Sequence, residues 1–520
     1  MGYPKAKLAA LVTTAALLAI SCSQAPVDWQ WVGGPPGPLT LTSASTRVAH
    51  GGSVVVTATG GVGHYTFTFD DGGIGGVLSA NSDGNTATYV APGSGNAAAL
   101  TVTAKSGPET SSTDVTIPAS GSLDDRCGDG GAGFRSFEIC PGCNDTANAA
   151  VLRNGVLDMF GASAGGVPSN TYAVQSVKAA DLSPMANQWG QATGALRINP
   201  NRSLNTLNAI VGIAAAPNGA VFYAGHHDGA GMLLGRLDTN GTQPSNFDGS
   251  SNTTRLFGDA RYNPYGIGFN LITKRLGVAM AYQPTVAQDS VRMELFQSNG
   301  AAAGNTIVTY AAPLETNLPY VLALPDGKYL VPSASHDDGT LGVPRFTTSA
   351  LLDTSWHPSG YRTMETQVAL TPPWGPQAAR LTPREVYLAG AKGTTIWINA
   401  MHLTSGVVRR SSLTLSGSGH IVTAVLPQLD GGALVTGYAI QAAISKGFIA
   451  RFRRSSGGGL EPDTDAFSGF PALTDALGGQ TGSDPYSFET AHLDAEGRIL
   501  AVGWRSVSGQ KSMFAACLFP

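Results

Sequence analysis

The sequence predicts an all-β chain, a sandwich of short strands followed by a β-propeller of seven repeated units. Three observations predict it. A turn followed by a short apolar strand, often ending in Gly, recurs through the second half: Pro217-Asn218-Gly219 before AVFYAG, Pro325-Asp326-Gly327 before KYLVPS, Leu429-Asp430-Gly431-Gly432 before ALVTG, and Ala495-Glu496-Gly497 before RILAVG. A unit repeated in tandem cannot bury its apolar face alone, so its neighbours must cover it. Short alternating strands also fill residues 37–119, with turn residues between them at sandwich spacing. Finally, charged residues make up only 13% of the chain and Gly contributes 67 of 520 positions, the composition of a turn-rich β protein rather than a helical one.

The N-terminus predicts the compartment. Lys5 and Lys7 precede an apolar run from Leu8 to Ile20. That run is too short to span a bilayer as a helix but suits a signal peptide. It ends Leu18-Ala19-Ile20-Ser21-Cys22, which resembles the lipobox of bacterial lipoproteins. The resemblance implies that residues 1–22 are a signal, that Cys22 is the lipidation site, and that membrane attachment is through lipid. Ser23, where Asp would mark retention at the inner membrane, implies an outer-membrane lipoprotein of the cell envelope, with display at the cell surface one outcome. Ordinary cleavage beside an incidental Cys is the other reading. Residues 23–36 contain WQWVGGPPGP and read as a tether. The net charge of -4 leaves no basic face for nucleic acid.

In residues 37–119 the strands are LTLTSAS, SVVVTATG, HYTFTFDD, TATYVAP and ALTVTAKS. Tyr65-Thr66-Phe67-Thr68-Phe69 and Thr88-Tyr89-Val90-Ala91-Pro92 resemble bacterial immunoglobulin-like domains, which implies an immunoglobulin-like β-sandwich acting as a spacer or adhesive unit. No Cys lies in this stretch, so an inter-sheet disulfide is not expected. Residues 118–122 read as a linker.

Residues 123–520 hold the array. Seven units are expected to start near 155, 219, 275, 327, 385, 432 and 497, with about four strands per unit. Such four-stranded blades leave only short edges; an open solenoid is the alternative, for which the period is long. MLLGRLDTNG, GVPRFTTSALLDTSW, GFIARFRRSSGG and SMFAACLFP supply later strands, aligning Arg236, Arg345 and Arg451 at one position with Cys517 and His402. Leu351-Leu352-Asp353-Thr354-Ser355-Trp356 and Arg451-Phe452 resemble delta-60 repeats. That family pairs an aspartate-glycine turn with an alanine-arginine-aromatic strand and a leucine-aspartate ending. The resemblance implies a propeller without a shared catalytic motif.

An exported chain favours disulfides. The candidates are Cys127, Cys140, Cys143 and Cys517. The last unit has three strands, and Gly133–Cys140 is expected to supply its fourth. Cys140 or Cys143 is then expected to join Cys517, with Cys127 taking the remaining partner. Redox chemistry at Cys140-Pro141-Gly142-Cys143 lacks a surrounding βαβ pattern. Zinc lacks a second CxxC, and no His follows Cys143 to make a haem motif.

Other clusters carry bland readings beside sharper ones. Gly128-Asp129-Gly130-Gly131-Ala132-Gly133 matches a dinucleotide fingerprint without its strand and helix. His226-His227-Asp228 and His336-Asp337-Asp338 fall in loops after second strands. They read first as solvated turns and second as contributors to one polar-ligand or divalent-metal site. Ser416-Gly417-Ser418-Gly419-His420 reads as a turn rather than a nucleophile elbow, and no carboxylate pair suggests a glycosidase. Trp189, Trp356, Trp374, Trp397 and Trp504 suit blade packing first and sugar stacking second. No catalytic residue, metal or cofactor is nominated. The function expected is non-enzymatic binding of a protein or polysaccharide on the propeller face. An envelope glycan hydrolase or lyase at the channel and a periplasmic assembly factor remain alternatives.

Overall fold

A computed structural model describes residues 37–520 except 93–94, 166–170, 192, 199–209, 228–230, 246, 248–253, 258–261, 286–287, 310–319, 336–339, 366–375, 442–443 and 464–484. Within residues 40–117, one sheet carries Thr40–Ser43, Ser53–Thr59, Thr86–Val90 and Val77–Ala80 in that order. The other carries Thr66–Asp70, Ala98–Ser106 and Glu109–Ile117. Burial alternates along Ser53–Thr59, as a strand with one face on a core requires. Val54, Val56 and Tyr89 of the first sheet and Leu100, Val102 and Val115 of the second share that core.

Among the described residues, seven further sheets follow between 134 and 518, each of antiparallel neighbours. Their middle strands differ in kind from those of the sandwich. Val156–Ala164 and Glu385–Lys392 are buried almost throughout, because a sheet covered on both faces has no solvated side to alternate with. The first strand of each sheet touches the first strand of the next, and that of the seventh touches that of the first. Together these sheets form a β-propeller around a central channel. Each of the seven expected starts falls at the beginning of its sheet's second strand.

The repeat motif has a physical basis. In sheet six, Arg451 on the third strand is buried and bonds Asp430 of the turn between the first two strands and Asp463 at the end of the fourth. In sheet four, Arg345 bonds Asp326 and Asp353 at the same two places. One guanidinium thus ties a turn to the outer strand, and its planar fork suits two carboxylates. The repeated Gly has another cause. A Cβ on Gly161, Gly437 or Gly503 would lie 1.7, 2.0 or 1.9 Å from the carbonyl oxygen of Thr146, Ile421 or Ser487 on the first strand. Only Gly allows that approach.

Phe134–Phe137 completes the seventh sheet by pairing with the last strand, as expected, with Phe134 opposite Ala516 and Phe137 opposite Met513. The disulfides differ from expectation. Cys127 is joined to Cys517 across a sequence separation of 390, and Cys140 to Cys143. The antiparallel register explains the correction. Cys517 and Cys140 lie beyond opposite ends of this pairing, so no bridge can form between them. Cys127 instead folds back, its carbonyl accepting the Gly133 N–H and the Gly133 carbonyl accepting that of Cys517. Leu123-Asp124 supplies the leucine-aspartate ending of this sheet. The Asp124 N–H donates to the Cys517 carbonyl as those of Asp353 and Asp463 do to Arg345 and Arg451. Asp124, fully buried, bonds Arg498 at 2.8 Å. Burial works to raise its carboxyl, but the bonds from Arg126 and Arg498 outweigh that and hold it below its ordinary value.

His402 does not share the arginine position. The turn from Thr382 closes on Glu385, whereas that from Leu324 closes on Lys328. The shorter turn puts Ala400, paired with Tyr387, where Arg345 is paired with Leu330. Residues 118–122 are pinned rather than free: the Ser120 hydroxyl donates to the Pro520 carbonyl and the Phe519 N–H to that of Ser122.

Candidate functional site: the central channel

The first strands of sheets one, two, three, six and seven each carry a β-bulge at one place. The extra residues are Asn148, Val211, Tyr265, Thr423 and Glu489. Bulges re-aim side chains and recur beside functional sites. In sheets one, two, six and seven they stand next to the residues paired with Gly161, Gly225, Gly437 and Gly503, so there the Gly and the bulge are one device, whereas in sheet three Met280 takes that place. Asn148, Thr423 and Glu489 line a cavity of about 250 Å³ to which all seven first strands contribute.

Register sets one position across the sheets: Ala214, Leu322, Arg380, Leu426 and His492 pair with equivalent second-strand residues, Phe222, Leu330, Tyr387, Leu434 and Leu500, and all but Ala214 line the cavity. Two of the five are basic. Arg380 opens its side chain to the channel and, among the described residues, makes no hydrogen bond or ion pair. The surrounding protein nevertheless pulls its pKa below the ordinary guanidinium value by desolvation. His492 is buried, and its Nε2 donates to the Ala150 carbonyl at 2.8 Å. Burial first and the Arg380 charge second push it down to about 4, so it is neutral at pH 7. Burial likewise raises the Glu489 carboxyl, which accepts from the Ser487 hydroxyl and, at 3.1 Å, from the Trp504 indole N–H.

Of the residues expected to contribute a ligand site, His226 and His227 end the second strand of sheet two. Their side chains, with Asp228 and all of His336, Asp337 and Asp338, lie outside the described residues. Sheet three separates the two loops in the ring, so they are not on neighbouring sheets. Cys22 also lies outside the described residues. Gly128–Gly133 is a tight turn with Gly128 at φ 80° and Gly133 at φ 77°, which Gly favours. His420 is buried and its ring bonds the Gly393 and Ser416 carbonyls, a structural role. Trp189 and Trp397 are buried in packing. Trp356 instead lines a cleft of about 460 Å³ between sheets four and five, with Arg345 and Arg362 over its ring at 5.8 and 4.9 Å.

Sequence reasoning missed Arg380, Glu489 and His492. The signal lay in the repeat: Ala214, Leu322, Leu426 and His492 stand at one offset before the turn glycines Gly219, Gly327, Gly431 and Gly497. Arg380 escapes that alignment because its turn is shorter.

No protein-family model matches the chain. No curated protein matches it in sequence. Among solved structures, it is similar to a quinoprotein alcohol dehydrogenase-like protein from Bacteroides thetaiotaomicron (11% identity, 82% of this chain and 94% of that one, TM-score 0.35). Sqt1 from Chaetomium thermophilum gives 12% identity over 72% and 97% of the two chains, TM-score 0.39. The WD40 domain of SCAP from fission yeast gives 10% over 74% and 90%, TM-score 0.34. Likenesses this distant assign no substrate or partner.

Proposed function

We propose that this is a lipid-anchored envelope protein in which an immunoglobulin-like sandwich carries a seven-bladed propeller of delta-60-like units. The propeller binds a protein or polysaccharide on the end facing away from the membrane. The observation that carries the reading is where the sandwich attaches. Gly52 of the sandwich packs against the turn at Glu496 and Gly497, and Arg47 bonds Asp124 and Asp125 of the closing segment. The sandwich therefore meets the ring at the turn end of sheet seven. The hairpin loops after the second strands and the connections between sheets leave from the other end. Loops on a rigid scaffold are where binding surfaces are usually built, and fold alone does not choose the ligand.

Protease shaving of intact cells tests the display. Cleavage of the propeller while cells stay sealed supports outward binding. Protection until the outer membrane is broken contradicts it. Cys22→Ala should release the chain from the membrane fraction. A second reading, a glycan hydrolase or lyase acting in the channel, draws on Glu489 with its raised pKa. Most glycosidases need a second carboxylate, and among the described lining residues Glu489 stands alone. Turnover of envelope glycans that Glu489→Gln abolishes would favour this reading over the first.

A further inference from the structure

We propose that Arg380 anchors a small organic carboxylate, a monoanion no larger than one sugar ring, inside the central channel. The site does not depend on which membrane face displays the protein.

Four features carry it. The first is the contrast among arginines. Arg345, Arg451 and Arg498 each hold at least two carboxylates, whereas Arg380 makes no hydrogen bond or ion pair among the described residues and faces open channel. Arg380 is exposed to the water of the channel, so its donors are open to an entering anion, and a carboxylate there gains an ion pair without breaking one inside the protein.

The second is charge. His492 is neutral at pH 7, so it adds no positive charge beside Arg380. Glu489, on the same wall, would repel a multiply charged ligand. One cation favours one negative charge. A phosphate dianion would call for more donors than this wall offers, while a carboxylate matches a single guanidinium through two parallel N–H···O bonds.

The third is room. Ala149, Gly212, Gly266, Ala378 and Ala424 keep the wall opposite and beside Arg380 shallow. The space of about 250 Å³ falls below the roughly 300–1,000 Å³ of pockets for larger ligands. The fourth is the polar company. Asn148, Thr423 and Thr490 line the same cavity and offer amide and hydroxyl groups to the rest of a polar molecule, such as the hydroxyls of a uronic acid. The Thr423 hydroxyl already donates to the Phe488 carbonyl at 2.7 Å, which leaves its oxygen free to accept.

Isothermal titration of the full chain in detergent, at constant ionic strength and pH 7, tests this. The probes are acetate, galacturonate, methyl galactoside and inorganic phosphate. Acetate and galacturonate should bind, galacturonate more tightly, while phosphate and the neutral glycoside should not. Arg380→Gln should weaken the carboxylates by at least about tenfold, and Arg380→Lys, which keeps the charge without the fork, should fall between. Both variants should melt within a few degrees of the parent, which separates loss of the site from loss of the fold. Carboxylate binding that is absent from the parent, or unchanged in Arg380→Gln, overturns the site. Phosphate binding more tightly than acetate overturns the monoanion assignment. Acetate binding as tightly as galacturonate would overturn the preference for a polar acid.

Discussion

Arg451 is only 2% exposed and sits between Asp430 and Asp463, the latter equally buried. Removing one partner of a buried pair strands the other charge, so Arg451→Ala should cost about 3–5 kcal/mol in urea unfolding, and Arg451→Met with Asp463→Leu should recover most of it. His492 makes a pH prediction. Its folded pKa lies at about 4 against 6.5 unperturbed. Between those values the unfolded chain binds the proton and the folded chain does not, so stability is full above pH 6.5 and falls as pH drops towards 4. The loss is on the order of 3 kcal/mol. Denaturation of the parent and His492→Gln at a series of pH values should give curves that converge below pH 6.5; parallel curves would refute the assignment. At this scale the sequence was partly legible. The arginine position emerged from aligning Arg236, Arg345 and Arg451, because a salt bridge between fixed strands demands a fixed residue. His402 was misplaced because a turn one residue shorter shifts every later position in its unit.

Sheets one, two, six and seven repeat one arrangement: a tight turn, a Gly within the second strand, and a bulge on the first strand beside the residue paired with that Gly. Gly503 shows its constraint most plainly, since a Cβ there would lie 1.9 Å from the Ser487 carbonyl oxygen. Gly503→Ala should therefore destabilise the chain by about 1–3 kcal/mol or more, as overpacking does. Ala501→Gly, two residues away on the same strand, offers the control for glycine as such. Melting temperatures of the two variants check this; an unchanged Gly503→Ala would mean the bulge relaxes freely. The strands were legible because apolar runs bounded by turn residues say where a strand begins. The bulges were not, because a bulge is a fact of pairing between two strands and leaves no mark on either alone. That is why Asn148, Thr423 and Glu489 went unread although the repeated Gly opposite them was plain.

On the scale of the whole molecule, the ring is closed by its own beginning. Leu123–Phe137 brings an outer strand, a leucine-aspartate ending and Cys127 to the last sheet, and Asp124 joins Arg498 across most of the chain. A bridge spanning 390 positions constrains the unfolded chain by on the order of 5 kcal/mol on loop-entropy grounds. The completing strand could be foreseen from a unit that ran out of chain. The pairing of the cysteines could not, because it depended on strand direction rather than on which strands meet. The sandwich and the channel both inherit their position from this clasp. Peptide mapping of the unreduced protein tests it most directly. The expected result is one linked peptide pair containing Cys127 and Cys517 and a separate peptide in which Cys140 and Cys143 are joined. A free Cys517, or Cys517 linked to Cys140 or Cys143, would contradict it.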